Sequence, residues 1–178
     1  PNATWEEAKK LDVGLELGLF NALNIEAAYF TEDRTGIFMR RTSLPSSTGL
    51  LGVTPYGNIG RVKSHGVDLS AVYNKQFNKD WSLSLRGTFT FSRNEVVEKD
   101  EGDLMYDYMS VVGHPVNAIT GVLVADGLFT SQEEIDNSPK QQFGNYTVGD
   151  IKYRDLNGDG IVDGNDVTTA GSPTGLEI

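Results

Sequence analysis

Cysteine is absent from the 178 residues, which excludes a disulfide framework and any thiolate-based zinc or redox centre. That absence leaves the compartment open, because many bacterial envelope proteins carry none. Positive charge is scarce. Fifteen Lys and Arg against 25 Asp and Glu give a net charge of −10, with no basic cluster to offset it, so no nucleic-acid partner is expected. His65 and His114 lie in separate segments without ligand-like neighbours, and each reads as a polar surface residue. No apolar run approaches the roughly 20 residues of a transmembrane helix. The chain opens at Pro1 without a charged or apolar leader, so no signal peptide is expected in it. Catalytic signatures are lacking too. There is no Gly-x-Ser-x-Gly elbow and no His-Glu-x-x-His, and no carboxylate pair sits in a setting that would split its pKa values. An enzyme is not expected.

What is present is alternation. Leu11, Val13, Leu15, Leu17 and Leu19 interleave with Asp12, Gly14, Glu16 and Gly18, the period-two signature of a strand with one apolar face. Asn21-Ala22 reads as a tight reversal. Leu23, Ile25, Ala27 and Tyr29 then begin a second strand expected to run to about Ile37. Ser43 to Asn58, rich in Ser, Thr, Gly and Pro, reads as a long loop. The pattern restarts at Val67, Leu69, Ala71 and Tyr73, turns at Asn78-Lys79-Asp80, and returns through Trp81, Leu83, Leu85, Gly87, Phe89 and Phe91. Arg86 falls on the opposite face, as Glu16 does in the first strand.

The spacing predicts about four antiparallel strands in two hairpins over residues 1–97, with alternating short turns and long loops. Bacterial outer-membrane barrels share that asymmetry, and their strand ends carry aromatic girdles. Phe20, Tyr73, Phe77 and Trp81 lie near the short turns, and Phe38 and Phe91 toward the long loops. A soluble β-sandwich explains the alternation equally well. The two differ in one respect: a sandwich presses the Leu15 and Leu83 rows together, whereas a barrel segment leaves both exposed.

Residues 98–178 are different in kind. A charged stretch at Lys99–Asp103 opens an irregular region. Within it Ser131-Gln132-Glu133-Glu134 reads as a capping box for a short helix over Ser131 to Asn137, stopped by Pro139. Tyr146 to Asp155 holds a short extended piece. Then comes Asp155-Leu156-Asn157-Gly158-Asp159-Gly160-Ile161-Val162-Asp163-Gly164-Asn165-Asp166, with oxygen side chains at positions 1, 3, 5, 9 and 12 and glycine at 6. That is the ligand ladder of an EF-hand-like calcium loop. Asp155, Asn157, Asp159 and Asp166 would give side-chain oxygens, Ile161 its carbonyl, and Asp163 a direct or water-mediated ligand. Aspartate at position 12, where Glu is usual, shortens the reach and weakens affinity. The alternative is an Asp/Gly-rich solvated turn without an ion. A structural Ca2+ is the expectation. Tyr56, Tyr106, Tyr108 and Phe129 either meet a ligand or a partner, or pack within their loops.

Several phrases in order carry a resemblance. Thr4-Trp5-Glu6 precedes a Leu-Gly-Leu strand, and Asn58-Ile59-Gly60-Arg61-Val62 leads into Ser64-His65-Gly66-Val67-Asp68-Leu69. Gly113-His114-Pro115, Gly127-Leu128-Phe129 and Ser131 to Ile135 follow, and then Gly149-Asp150-Ile151-Lys152-Tyr153-Arg154-Asp155-Leu156-Asn157-Gly158-Asp159-Gly160. Together they resemble the C-terminal barrel part of the SusC/RagA family of TonB-dependent outer-membrane transporters of Bacteroidota. The resemblance implies an antiparallel segment of a 22-stranded transmembrane β-barrel. It also implies residues 98–178 as a long extracellular loop, with 155–166 as its calcium-binding segment. Implied partners are a SusD-like surface lipoprotein, the TonB complex through N-terminal parts absent from this sequence, outer-membrane lipid, and an oligosaccharide or peptide substrate. The chain then reads as an excerpt. The competing expectation is a secreted calcium-stabilised β-sandwich or a dockerin-like adhesion module, although a dockerin carries a pair of such loops and only one is found.

Overall fold

A computed structural model describes residues 4–43 and 55–171. The chain divides into two compact units, one of residues 4–40 and 55–99, the other of 41–43 and 100–171. The first is dominated by strands, and the second by turns and irregular chain between short strands.

The first unit is a single antiparallel sheet in the order β1-β2-β3-β4, formed by β1 (Glu7–Leu19), β2 (Leu23–Arg40), β3 (Tyr56–Gln76) and β4 (Ser82–Glu98). Register follows the alternation read in the sequence. Leu15 pairs with Ala27, Ala27 with Leu69, and Leu69 with Phe89. Val13, Tyr29, Val67 and Phe91 form the next row, and Leu19, Leu23, Tyr73 and Leu85 a lower one. All these side chains share one face. Leu15 and Leu85 are each 57 % exposed, so the two leucine rows lie in the open and are not pressed together. A sandwich is therefore excluded for this unit: both rows belong to one face of one sheet.

The opposite face carries Glu16, Glu26, Asp68, Ser70, Thr88 and Thr90 over a floor of Gly14 and Ala28, and it is concave. Arg86 lies on this face opposite Val72. Phe30 turns its ring over Gly66, where any Cβ would collide with that ring and with the Phe91 carbonyl oxygen. Glycine is needed here for space. Gly66→Ala is expected to destabilise the folded sheet by about 1–3 kcal/mol through overpacking, read as a lower midpoint of thermal unfolding.

The turns differ in construction. Phe20 and Asn21 both take left-handed conformations (φ 55° and 49°), and the Ala22 N–H donates to the Leu19 carbonyl at 3.1 Å. Asn78 closes the second turn by accepting from the N–H groups of Asp80 and Trp81 at 2.9 and 2.8 Å. At the other end of the sheet a bulge on β2 carries Gly36 at φ 67°. Asn58 fastens it, donating to the carbonyls of Gly36 and Thr4 at 2.7 and 2.9 Å and accepting from the Thr4 N–H at 2.9 Å.

Two boundaries depart from the sequence reading. β2 runs on to Arg40, and β3 begins at Tyr56, not Val67. Tyr56 to Gly66 is broken by glycines and charges and carries no clean alternation. Pairing with β2 along this stretch, joined by β4 from Arg61 on, overrides that weak local preference. Residues 44–54 of the expected loop lie outside the described residues.

The second unit is stitched from small pieces. Short ladders pair β5 (Val122–Leu123) with β10 (Val167–Thr168), β6 (Ala125–Leu128) with β8 (Ile151–Tyr153), and β7 (Lys140–Gln141) with β9 (Ile161–Val162). Its interior holds Phe129, 1 % exposed and stacked on Tyr146 at 5.4 Å, and fully buried Val162. Buried Gln141 acts as a strand mimic, its Nε2 donating to the Ile151 carbonyl and its Oε1 accepting from the Tyr153 N–H.

Helix α1 (Gln132–Asn137) follows the expected N-cap, since the Glu134 N–H donates to Ser131 Oγ at 3.1 Å. The reciprocal half of the capping box is different. Glu134 accepts from the Thr130 N–H and hydroxyl at 2.9 and 2.7 Å and not from the Ser131 backbone, with Lys152 at 3.0 Å as ion partner. These donors, those of Thr130 first and the Lys152 ammonium after them, hold its pKa at about 2, below the ordinary 4.5. A depressed folded pKa gives stability that is complete above the unfolded value and is lost as pH falls through the folded one. Protection of the Thr130 amide from hydrogen exchange is therefore expected to persist down to about pH 4.5 and to fall away toward pH 2. Glu134→Gln should weaken that protection already at pH 6.

Candidate functional site

The loop 155–166 winds around its own carboxylates. Asp155 accepts from the N–H groups of Gly158 and Gly160 at 2.6 and 2.8 Å, which require left-handed glycines at both places (φ 76° and 86°). Asn157 Oδ1 takes the Asp159 N–H and Asp159 the Ile161 N–H, each at 2.9 Å. Asp163 takes the Asn165 N–H at 2.7 Å. Asp166 closes the loop. It is fully buried and accepts from the N–H groups of Leu156, Asn157 and Asp163 at 2.7, 3.4 and 2.8 Å.

Ile161, the expected carbonyl ligand, sits in β9. The flanking carbonyls of Gly160 and Val162 accept from Lys140 and Gln142 of the β7 side, both at 3.0 Å. Because carbonyls alternate along a strand, that of Ile161 faces away from β7. Among the described residues no three His, Cys, Asp or Glu side chains are gathered on one point as a ready metal cage. The six predicted residues thus share one loop, with Asp155 and Asp166 brought together across its ends and Asp163 turned to its own Asn165.

The loop contains four aspartates and no Lys, Arg or His. Arg154, just before it, is engaged with Asp126, its Nε standing 2.9 and 3.1 Å from the two carboxylate oxygens. Asp166 is a buried carboxylate whose hydrogen-bond donors among the described residues are backbone N–H groups.

Two residues left open in the sequence complete this site. Tyr106 and Tyr108 stack at 5.1 Å and lean on the loop. Tyr108 donates to the Asn165 carbonyl at 2.6 Å, and Asn157 Nδ2 reaches Tyr106 Oη at 3.3 Å. Burial first, and then the charges of Asp166, Tyr106, Asp155 and Asp159, push the Tyr108 hydroxyl above its ordinary pKa. Beyond the loop, Thr168 donates to the Tyr108 carbonyl at 2.5 Å and the Ala170 N–H to the Ile119 carbonyl at 2.7 Å. Loop packing therefore accounts for Tyr106, Tyr108 and Phe129. No short-range signal announces the two tyrosines, which lie about 50 residues from their partners. Tyr56 stacks on Phe38 at 5.4 Å and remains exposed. His65 lies on the outward face of β3, opposite Thr31 and Arg93. No helix among the described residues is long and apolar enough to cross a membrane, a test that does not bear on strands.

A family model described as TonB dependent receptor-like, beta-barrel, matches residues 1–173. The chain belongs to that family. It is 30 % identical to TonB-dependent receptor P26 of Formosa agariphila and 26 % identical to TonB-dependent receptor P3 of the same organism. Each match covers 97 % of this chain and 18 % of the relative, so the chain spans under a fifth of their length. Among solved structures, the RagAB peptide importer in its closed-closed state superposes with a TM-score of 0.61 at 20 % identity, over 95 % of this chain and 18 % of that one. A second RagAB peptide transporter structure gives 0.57 at 23 %, over 79 % and 15 %. At such identity the likeness is one of fold. Together these matches support a SusC/RagA-like segment. TonB-dependent receptor barrels are outer-membrane transporters and not enzymes.

Proposed function

We propose that this chain is a length of wall from a TonB-dependent importer, with residues 98–178 forming an extracellular region stiffened by Ca2+. The observation that carries the reading is the exposed apolar face shared by all four strands. Its rows run nine residues along β1, from Leu11 to Leu19, and eleven from Trp81 to Phe91. A transmembrane strand needs about 9–11 residues. That face meets lipid, and the concave polar face meets a wet or plugged lumen. Four strands leave β1 and β4 each paired on one side only, and neighbouring strands of a barrel of about 22 would take up those edges.

The donors in the 155–166 loop suit a hard cation. Buried Asp166 lacks a cationic neighbour inside the loop, and the Ile161 carbonyl points away from β7. Asp155, Asn157, Asp159, Asp163, Asp166 and the Ile161 carbonyl would hold Ca2+, which supplies positive charge and rigidity and no catalysis.

Transport is driven through TonB, and a SusD-like lipoprotein covers the outer mouth. The cargo is an oligosaccharide or a peptide, peptide import being what the RagAB structures are described as doing. Cells lacking the full-length receptor should lose uptake of one labelled class, and dissipating the inner-membrane proton gradient in wild-type cells should reproduce the loss. Undiminished uptake of both classes in the deletion strain would overturn the reading.

A further inference from the structure

Asn157-Gly158 is the one Asn-Gly pair in the 178 residues. Such a pair carries a reaction of its own, because glycine has no Cβ to hinder its backbone nitrogen. The Gly158 nitrogen gives its proton to water and attacks Cγ of Asn157. A new N–Cγ bond closes a succinimide ring, and the side-chain nitrogen leaves as ammonia. Water then opens the ring. Opening at the side-chain carbonyl gives aspartate. Opening at the main-chain carbonyl gives isoaspartate, whose backbone runs through Cβ and Cγ.

The closed loop engages every polar atom that this reaction uses. The Gly158 N–H donates to Asp155 Oδ1 at 2.6 Å, and a carboxylate that close keeps the proton on nitrogen. Asn157 Oδ1 accepts from the Asp159 N–H at 2.9 Å. Its Nδ2 donates to Asp159 Oδ2 at 3.0 Å and to Tyr106 Oη at 3.3 Å. Attack needs the nitrogen about 3–3.5 Å from Cγ and aimed at the face of the amide. Turning the amide to meet it breaks the contacts of both Oδ1 and Nδ2, and Gly158 is held at φ 76° by the same turn.

We propose that Asn157 is a deamidation site guarded by its own loop. Closed, the loop keeps the amide intact, and each opening lets the ring form. The product does not fit back. Isoaspartate adds a carbon to the main chain between the N–H groups of residues 157 and 158, which serve Asp166 and Asp155. Both products carry a new negative charge beside Asp159, and neither keeps the amide hydrogens that faced Asp159 and Tyr106. Opening thereby becomes one-way. The protection lies in the loop's own hydrogen bonds and needs neither the membrane wall nor the cation.

Peptide mapping by mass spectrometry tests this on the full-length receptor, aged at one temperature in mildly alkaline buffer. Asn157 in the folded receptor should deamidate about tenfold or more slowly than in receptor unfolded with guanidinium, equivalent to at least about 1.4 kcal/mol of local protection. Tyr106→Phe removes one partner of the amide and should speed the folded rate severalfold while leaving the unfolded rate unchanged. Asp155→Ala should bring the folded rate close to the unfolded one. If that variant yields no folded band, Tyr106→Phe alone decides. Asn137-Ser138, at the end of α1 and read in the same digest, should be unmoved by either substitution. Limited proteolysis of aged wild type should find isoaspartate concentrated in the molecules cut between Asn145 and Val167. Equal folded and unfolded rates in wild type would overturn the proposal. So would a Tyr106→Phe rate no faster than wild type, or an acceleration shared equally by Asn137. Equal isoaspartate in cut and uncut molecules would remove the one-way step.

Discussion

Leu15→Arg in the full-length receptor is expected to cost about 2–4 kcal/mol and to leave little folded barrel, because it sets a guanidinium at mid-membrane depth. Leu15 lies at the middle of the β1 apolar run, on the row shared with Ala27, Leu69 and Phe89. A longer side chain there has polar headgroups in reach only by snorkelling past Val13 and Leu11 or past Leu17 and Leu19. Thr88→Arg, one residue away from that row along β4 but on the concave face, has water or polar side chains in reach and should fold nearly as well as wild type. The readout is the fraction of receptor that shifts on heating before electrophoresis. Equal folding of both variants would show that the leucine face does not meet hydrocarbon.

The second large effect is expected at the loop. If Ca2+ is present at a hundred times its dissociation constant, binding adds about 2.7 kcal/mol to the local fold. Removing it with chelator should open the stretch from Asn145 to Val167 to limited proteolysis in the full-length receptor. Asp159→Ala should behave in calcium as wild type does in chelator. Asp166→Ala should do worse than either. It removes the acceptor of three part-buried N–H groups, those of Leu156, Asn157 and Asp163, at up to about 1–3 kcal/mol for each one left unsatisfied. Cleavage that is the same with and without chelator would remove the ion from the account.

Much of the sheet was legible because a sheet with one apolar and one polar face writes period two directly into the chain. Leu11 to Leu19 and Trp81 to Phe91 needed no tertiary information. Tyr56 to Gly66 was not legible, because its pairing is dictated by β2 and, from Arg61 on, by β4 as well, and not by its own residues. The helix cap at Ser131 was local and was read. Glu134 found Thr130 instead of the Ser131 backbone, a choice among adjacent donors that spacing does not distinguish. The Asp/Asn/Gly turn of the loop was readable from spacing, whereas the tyrosines packed against it were not. Contacts between residues 106–108 and 157–168 depend on how the chain returns, which periodicity does not encode.

The paired irregularities of β2 and β3 carry a consequence for how this wall tolerates change. Between Arg34 and Ile37, β2 spends one residue more than β3. Between Ile37 and Phe38, β3 spends one more than β2. The two offsets cancel, so β2 and β3 keep inside and outside in step on either side of them. A single-residue insertion below Gly36 would invert every side chain between it and the nearest bulge, whereas one placed at the bulge itself has a kink ready to absorb it. Length variation among such walls should therefore collect near Gly36 and Asn58, and elsewhere in the strands come in twos.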